Sequence, residues 1–169
     1  MRFTLIDRIT DFEPGNHLTA VKNLSLAEEY LADHFPGFPV MPGVLMMEAM
    51  TQAGAWLIRA SEDFAHSVVV LKEARNVRFK NFVKPAQTLQ VTVAILRQDE
   101  RHVKIKAEGL VGDRPTVSAR MTLERYNFAD EDPTLASKDA EVVRKMRELF
   151  SVLRDPKIVP PASLGNPSQ

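Results

Sequence analysis

The 169-residue chain has no cysteine, which excludes disulfides, thiolate nucleophiles and thiolate-held metals. It has no excess charge of either sign. Lys plus Arg and Asp plus Glu both number 22, so no overall field favours nucleic acid or an anionic membrane. Long apolar runs are missing as well. The best, residues 44–58, is interrupted by Glu48, Thr51 and Gln52 and falls short of a membrane span. Arg2, Asp7 and Arg8 break up the first residues, so no apolar h-region of a secretory signal is seen. There is no internal repeat, Gly-rich phosphate loop or nucleophile elbow. His17, His66 and His102 are scattered through unrelated segments. Without cysteine or a His-x-x-x-His pair, a catalytic metal is not expected, and these three read as structural or exposed. The expectation is a soluble, cytoplasmic protein of one domain, long enough to bury a core.

What is present is a clear change of period along the chain. Pro14-Gly15-Asn16 reads as a turn, followed by a strand over residues 17–23 and one or two helical turns over 25–30. Pro42 suits the start of a helix, where its missing N–H is not needed. The helix that follows runs to about Ala60 and is apolar nearly all round, which predicts burial on most sides. Beyond it the period becomes two. Residues 67–72 form a β-branched run, and alternation continues through 88–98, 102–109 and 117–124, with a hairpin turn at Gly112-Asp113. Such spacing predicts an antiparallel sheet with one apolar and one wet face. A sheet with one greasy face beside a helix greasy all round predicts an α+β fold in which sheet wraps helix. This unit spans residues 1–128. Residues 129–155 read as an acidic linker and an amphipathic helix, N-capped by Ser137 and presenting Val142, Val143, Met146, Leu149, Phe150 and Leu153 on one face. Residues 156–169, with Pro156, Pro160, Pro161 and Pro167, read as a loose tail.

The chemistry concentrates in residues 34–52. His34 lies in a run containing Pro36, Gly37, Pro39, Pro42 and Gly43. The prolines fix φ and the glycines permit close approach or unusual backbone, so this loop positions something. Gly43 and Val44 open the helix, where free N–H groups and the dipole favour an oxygen gaining negative charge. Glu48 stands inside an apolar helix, where an ionised carboxylate is costly unless paired or poised for chemistry. Thr51 and Gln52 share its stripe at i+3 and i+4. A polar seam facing another helix would explain that stripe equally well. A histidine and a carboxyl held in fixed relation are suited to moving a proton from one carbon while a hydroxyl leaves the next.

The segments His34-Phe35-Pro36-Gly37, Pro39-Val40-Met41-Pro42-Gly43-Val44-Leu45 and Glu48-Ala49-Met50-Thr51-Gln52 closely resemble the signature of FabZ-type (3R)-hydroxyacyl-acyl-carrier-protein dehydratases. The resemblance runs from about Leu5 to Tyr126. It implies the hotdog fold, in agreement with the wrapped helix argued above. It implies that His34 takes the α-proton of a 3-hydroxyacyl thioester and that Glu48 protonates the departing hydroxyl. It further implies that the Gly43 N–H holds the thioester oxygen, with Val44 and Phe35 beside the substrate and Gln52 supporting Glu48. Family members need no cofactor. They place His and Glu of one site on different subunits, which implies a homodimer, sometimes a trimer of dimers. Neutral His34 and protonated Glu48 would make activity fall at both pH extremes.

The related FabA-type branch carries Asp in place of Glu48 and Cys in place of Val44, so the residues here favour plain dehydration. Phe38, Pro85-Ala86-Gln87 and the non-aromatic 68–71 depart from the common FabZ pattern. A basic stretch includes Arg75, Arg78, Lys80 and Lys84; read alone it is a solvated face, and within the family it would dock the acidic carrier. A hotdog thioesterase and a non-catalytic carrier-binding or dimerisation paralogue are the competing readings. The second would be signalled by loss of His34 or Glu48, and both are present.

Overall fold

The computed structural model describes residues 4–35 and 37–154. The tail expected from Pro156 onward, and Pro36 of the loop, lie outside the described residues. Six strands form one sheet: β1 (Arg8–Glu13), β2 (His17–Asn23), β3 (Val68–Phe79), β4 (Thr88–Gln98), β5 (His102–Val111) and β6 (Arg114–Tyr126). Their order is β1-β2-β4-β5-β6-β3, and every neighbouring pair is antiparallel. Between β2 and β3 come a short helix α1 (Tyr30–Asp33) and the long helix α2 (Gly43–Ser61).

The period-2 pattern decides which face meets α2. Leu89, Val91 and Val93, then Val103, Ile105 and Ala107, then Ala119, Met121 and Leu123 point inward and are buried against Ala53, Leu57 and Ile58 of the helix. Gly54 permits the close approach, since a Cβ there would stand 2.6 Å from Ile105 Cδ1. This is the α+β arrangement of sheet around helix expected from the alternation, and it agrees with the hotdog fold that the resemblance implied.

Several boundaries differ from the sequence reading. The helical turn lies at Tyr30–Asp33, not at 25–30, because burial of Leu31 rather than local propensity selects it. The strand expected over 67–72 continues to Phe79, carried by pairing with β6. The residues before the first turn form β1, paired to β2. Helix α2 is enclosed only over its second half. Val44 is 69% exposed, and Met47 and Glu48 are half-buried, so the all-round burial expected of Glu48 is not met within one chain.

The acidic linker is structured too. Phe128–Asp130 and Pro133–Leu135 are single-turn 3-10 helices, and α3 (Ala136–Leu153) is N-capped by Leu135 rather than Ser137. The cause is upstream: Asp132 accepts from the Thr134 N–H at 3.0 Å and Pro133 starts the turn. Asp139 is buried and accepts from Ser67 Oγ and from the Phe128 and Ala129 N–H groups at 3.0 and 2.9 Å. Burial alone would raise its pKa, but those three donors outweigh it and hold the carboxyl below the usual range. Farther along α3, Phe150 packs its ring on Phe12, Trp56 and Phe64 at 6.2, 5.9 and 5.6 Å. Helix α3 therefore docks on its own chain, at the end of α2 opposite Gly43.

Candidate active site

A one-residue bulge builds one wall of the site. Arg75 pairs with Arg120 and Arg78 with Ser118, so three steps on β3 match two on β6. Asn76 takes up the extra residue at φ 53°. The bulge reverses the phase of β3, and Phe79 pairs with Val117 on the inner side. There its ring lies on Gly43: a Cβ on Gly43 would stand 2.9 Å from Phe79 Cε1. Gly43 is the first residue of α2 and Pro42 its N-cap, so the Gly43 N–H has no carbonyl partner within the helix.

His34 is the residue that ends α1. Phe35 follows at φ 54° and Gly37 at φ 87°, and the Phe38 N–H donates to the Phe35 carbonyl at 2.8 Å, closing a tight turn. The Phe35 ring tilts on the imidazole with centroids 4.4 Å apart. Two anchors hold this loop. Lys22, buried, reaches Glu28 at 2.8 Å ahead of α1, and the Met41 N–H donates to the Val83 carbonyl at 2.9 Å.

His34, Phe35, Gly43 and Lys80 line a cavity of 300 Å³ with Phe79 and Phe82 at its side and buried Met41 and Met46 beneath. Sequence reasoning missed Phe79 and the two methionines. The phase of Phe79 was concealed by the bulge, and Met41 and Met46 carried no signal beyond being apolar.

Glu48 is not among the residues lining this cavity. It accepts a hydrogen bond from Gln52 Nε2 at 2.9 Å, while Gln52 Oε1 accepts from the Leu5 N–H at 2.9 Å. A backbone N–H only donates, so it fixes the amide with its NH₂ toward Glu48. Thr51 stays apart from this pair, donating to the Met47 carbonyl at 3.1 Å. Val44, at 69% exposure, stands beside Gly43 at the open end of the helix.

The basic stretch does not form one patch. Arg75 and Arg78 lie on the outer face of the sheet, opposite the helix. Lys80 lines the cavity, and Lys84 Nζ sits 4.9 Å over the Phe38 ring, which meets Phe82 edge-on at 5.6 Å. The other three histidines sit in ion-pairing surroundings, His17 with Asp11, His66 with Glu62 and His102 with Asp99.

Residues 1–120 match the family described as the FabA-like domain. The chain belongs to the FabA-like family. It is 34% identical over 117 residues to the 3-hydroxyacyl-[acyl-carrier-protein] dehydratase FabZ of Pediococcus pentosaceus, covering 69% of this chain and 78% of that one. With the FabZ of Oleidesulfovibrio alaskensis the identity is 36% over 130 residues, covering 76% and 84%. Among solved structures, the dehydratase heterocomplex ApeI:P of Xenorhabdus doucetiae superposes with a TM-score of 0.64 at 20% identity, covering 79% of this chain and 90% of that one. That likeness concerns the fold. The FabZ-type resemblance of the His34–Gln52 segments agrees with these matches, whereas α3 lies beyond the part matched by the family. Among the described residues no helix is long and apolar enough to cross a membrane, and no group of three metal-binding side chains occurs.

Proposed function

We propose that this FabA-like protein dehydrates (3R)-hydroxyacyl thioesters carried on acyl carrier protein to trans-2-enoyl thioesters, in the cytoplasm and without a cofactor. The class of reaction, that of a hydro-lyase, is the one its FabZ relatives are named for. His34 is the base that removes the α-proton, and the Gly43 N–H receives the thioester oxygen as it gains charge. Glu48 of a second copy donates its proton as the C–O bond breaks and water leaves. Return of the proton from His34 to Glu48 then completes the cycle. Val44 and Phe35 flank the substrate, and Gln52 holds Glu48.

The observation that carries this reading is the cavity shared by His34 and the Gly43 helix start, with Phe79 pressed behind Gly43. A base and an oxyanion donor on one small apolar-floored cavity are what α-proton removal needs. Glu48 lies off that cavity on an open stretch of α2, and this supports an acid delivered across a homodimer. A trimer of such dimers is compatible with the same pairing. Carrier docking by Arg75, Arg78, Lys80 and Lys84 belongs to the same reading, with Lys80 nearest the cavity.

The test is an assay with a (3R)-hydroxyacyl carrier substrate, following enoyl product and free thiol together. Enoyl formation that disappears in His34→Ala supports the proposal. Enoyl formation that survives His34→Ala rules out this mechanism, release of thiol identifies a thioesterase, and carrier binding without turnover identifies a non-catalytic paralogue.

A further inference from the structure

A single buried cation is tied to both halves of the proposed site. Lys22 of β2 is buried, and its ammonium meets Glu28 at 2.8 Å and Asp7 at 3.3 Å. Burial alone would lower its pKa, but the hydrogen bonds and charges of the two carboxylates outweigh burial and raise it. Neither carboxylate can move away without weakening the pairing of a buried charge.

On one side the cluster holds α1. Glu28 precedes that helix, and its carbonyl accepts from the Leu31 N–H at 3.0 Å. Tyr30, the first residue of α1, lies near both carboxylates: burial, then the charges of Glu28 and Asp7, push its hydroxyl up to about 12. Leu31 is buried, and the helix ends at His34. On the other side Asp7 is fixed twice more. Its N–H donates to the Val21 carbonyl at 2.8 Å, and its carboxylate accepts from the Asn23 N–H at 2.6 Å. Two residues earlier, the Leu5 N–H holds Gln52, and Gln52 holds Glu48, at 2.9 Å each. Leu5 and Ile6 are buried to 1% and 0% exposure. A segment packed this closely has no slack, so a shift at Asp7 is passed on to Leu5.

We infer that Lys22 is a positioning residue for the proposed dehydration. It sets His34 through Glu28 and α1, and Glu48 through Asp7, the Leu5 N–H and Gln52, an inference resting on the roles proposed for His34 and Glu48 above. In the proposed dimer those two residues of one chain belong to different sites. Each Lys22 therefore places the base of one site and the acid of the other.

The test uses dimers co-refolded from His34→Ala and Glu48→Ala chains, which contain one complete site. The His34→Ala chain gives that site only its acid, and the Glu48→Ala chain only its base. Lys22→Met, which keeps the apolar stem and removes the charge, is placed in either chain in turn. Each placement should lower kcat of the complete site about tenfold with KM little changed, and Lys22→Arg in the same place should recover part of the loss. An effect only when Lys22→Met accompanies Glu48→Ala overturns the inference, because the branch to Glu48 is then absent. No effect in either placement, or one confined to KM, overturns it too. A second readout needs no turnover: the Gln52 side-chain NH₂ resonance in the ¹H–¹⁵N spectrum of the full chain. It should move in Lys22→Met and in Asp7→Asn, a milder change that keeps an oxygen for the Asn23 N–H and serves if Lys22→Met does not fold. A Gln52 resonance that stays in place overturns the inference. If the parent does not turn over a (3R)-hydroxyacyl substrate, the dehydratase reading fails, and the Gln52 resonance still decides whether Lys22 reaches the partner of Glu48.

Discussion

The Phe79 ring occupies the space that a Cβ on Gly43 would need, with Cε1 at 2.9 Å and Cζ at 3.1 Å from that position. The start of α2 is therefore seated on β3 at the residue proposed to hold the thioester oxygen. Gly43→Ala forces either the ring or the helix start to move. Because a displacement of about 1 Å costs on the order of 100-fold in rate, kcat should fall by about that factor with the fold retained. Phe79→Ala in the Gly43→Ala background should restore part of it. Steady-state kinetics on the two variants decides the point, and no rescue would mean that the contact does not place Gly43.

The shared-site proposal makes a mixing prediction. His34→Ala and Glu48→Ala should each lose about 10²–10⁴-fold in turnover. Dimers assembled from both chains contain one site with neither substitution. Mixing after co-refolding should recover about a quarter of parental activity if sites are built across a two-fold axis. Activity no greater than that of the separate variants would place both residues of a site on one chain.

Gln52 is tied at both ends of its amide, to the Leu5 N–H and to Glu48, at 2.9 Å each. Gln52→Leu frees the carboxyl to rotate and leaves the Leu5 donor unpaired. We expect a roughly tenfold fall in kcat, smaller than removal of the acid itself, with KM little changed. A loss seen in KM alone would assign Gln52 to substrate binding instead.

Helix α3 should respond to acid before the rest of the chain. Burial raises the Asp139 carboxyl, but hydrogen bonds from Ser67, Ala129 and Phe128 lower it further, to a net depression. The Arg147 guanidinium likewise lowers Asp63, tying α3 to the loop after α2. A depressed carboxyl stabilises the fold above its unfolded value of about 3.9 and loses that contribution as pH falls through the lower folded value. Docking of α3 should thus be constant from pH 5 to 8 and fail below about pH 4. Trp56, the single tryptophan, lies 5.9 Å from Phe150, so its fluorescence reports the release. Asp139→Ala should remove the acid-sensitive step.

Ala86 adopts φ 66°, where its Cβ is strained, while its N–H donates to the Leu24 carbonyl at 2.8 Å. Glycine relieves the strain and keeps the bond. Ala86→Gly should stabilise the chain by about 0.5–1 kcal/mol, read as a rise in the urea midpoint at constant m-value.

Much of this molecule is legible in order along the chain. The alternation of Val91, Val93, Val103 and Ile105 with polar neighbours decides which sheet face is apolar, because side chains in a strand alternate by geometry. The all-round apolar character of residues 44–58 identifies the wrapped helix, and the run from His34 to Gln52 carries the family. Local propensity was a poorer guide at α1 and at the start of α3, where a buried leucine and an Asp132–Pro133 turn prevail.

Other relations needed the fold. A single unpaired residue at Asn76 reverses the strand phase, and only the pairing of β3 with β6 discloses it; that register brings Phe79 onto Gly43. The basic stretch divides for the same reason. Arg75 and Arg78 face outward while Lys80 lines the cavity and Lys84 lies over the Phe38 ring, and Arg120, distant in sequence, becomes the cross-strand neighbour of both Arg75 and Lys106. The sequence by itself determined the chemistry available at His34, Gly43 and Glu48, since that follows from residue type and spacing. Tertiary structure decided which of them share a cavity, because strand register and the seating of α2 set distances that no local pattern encodes.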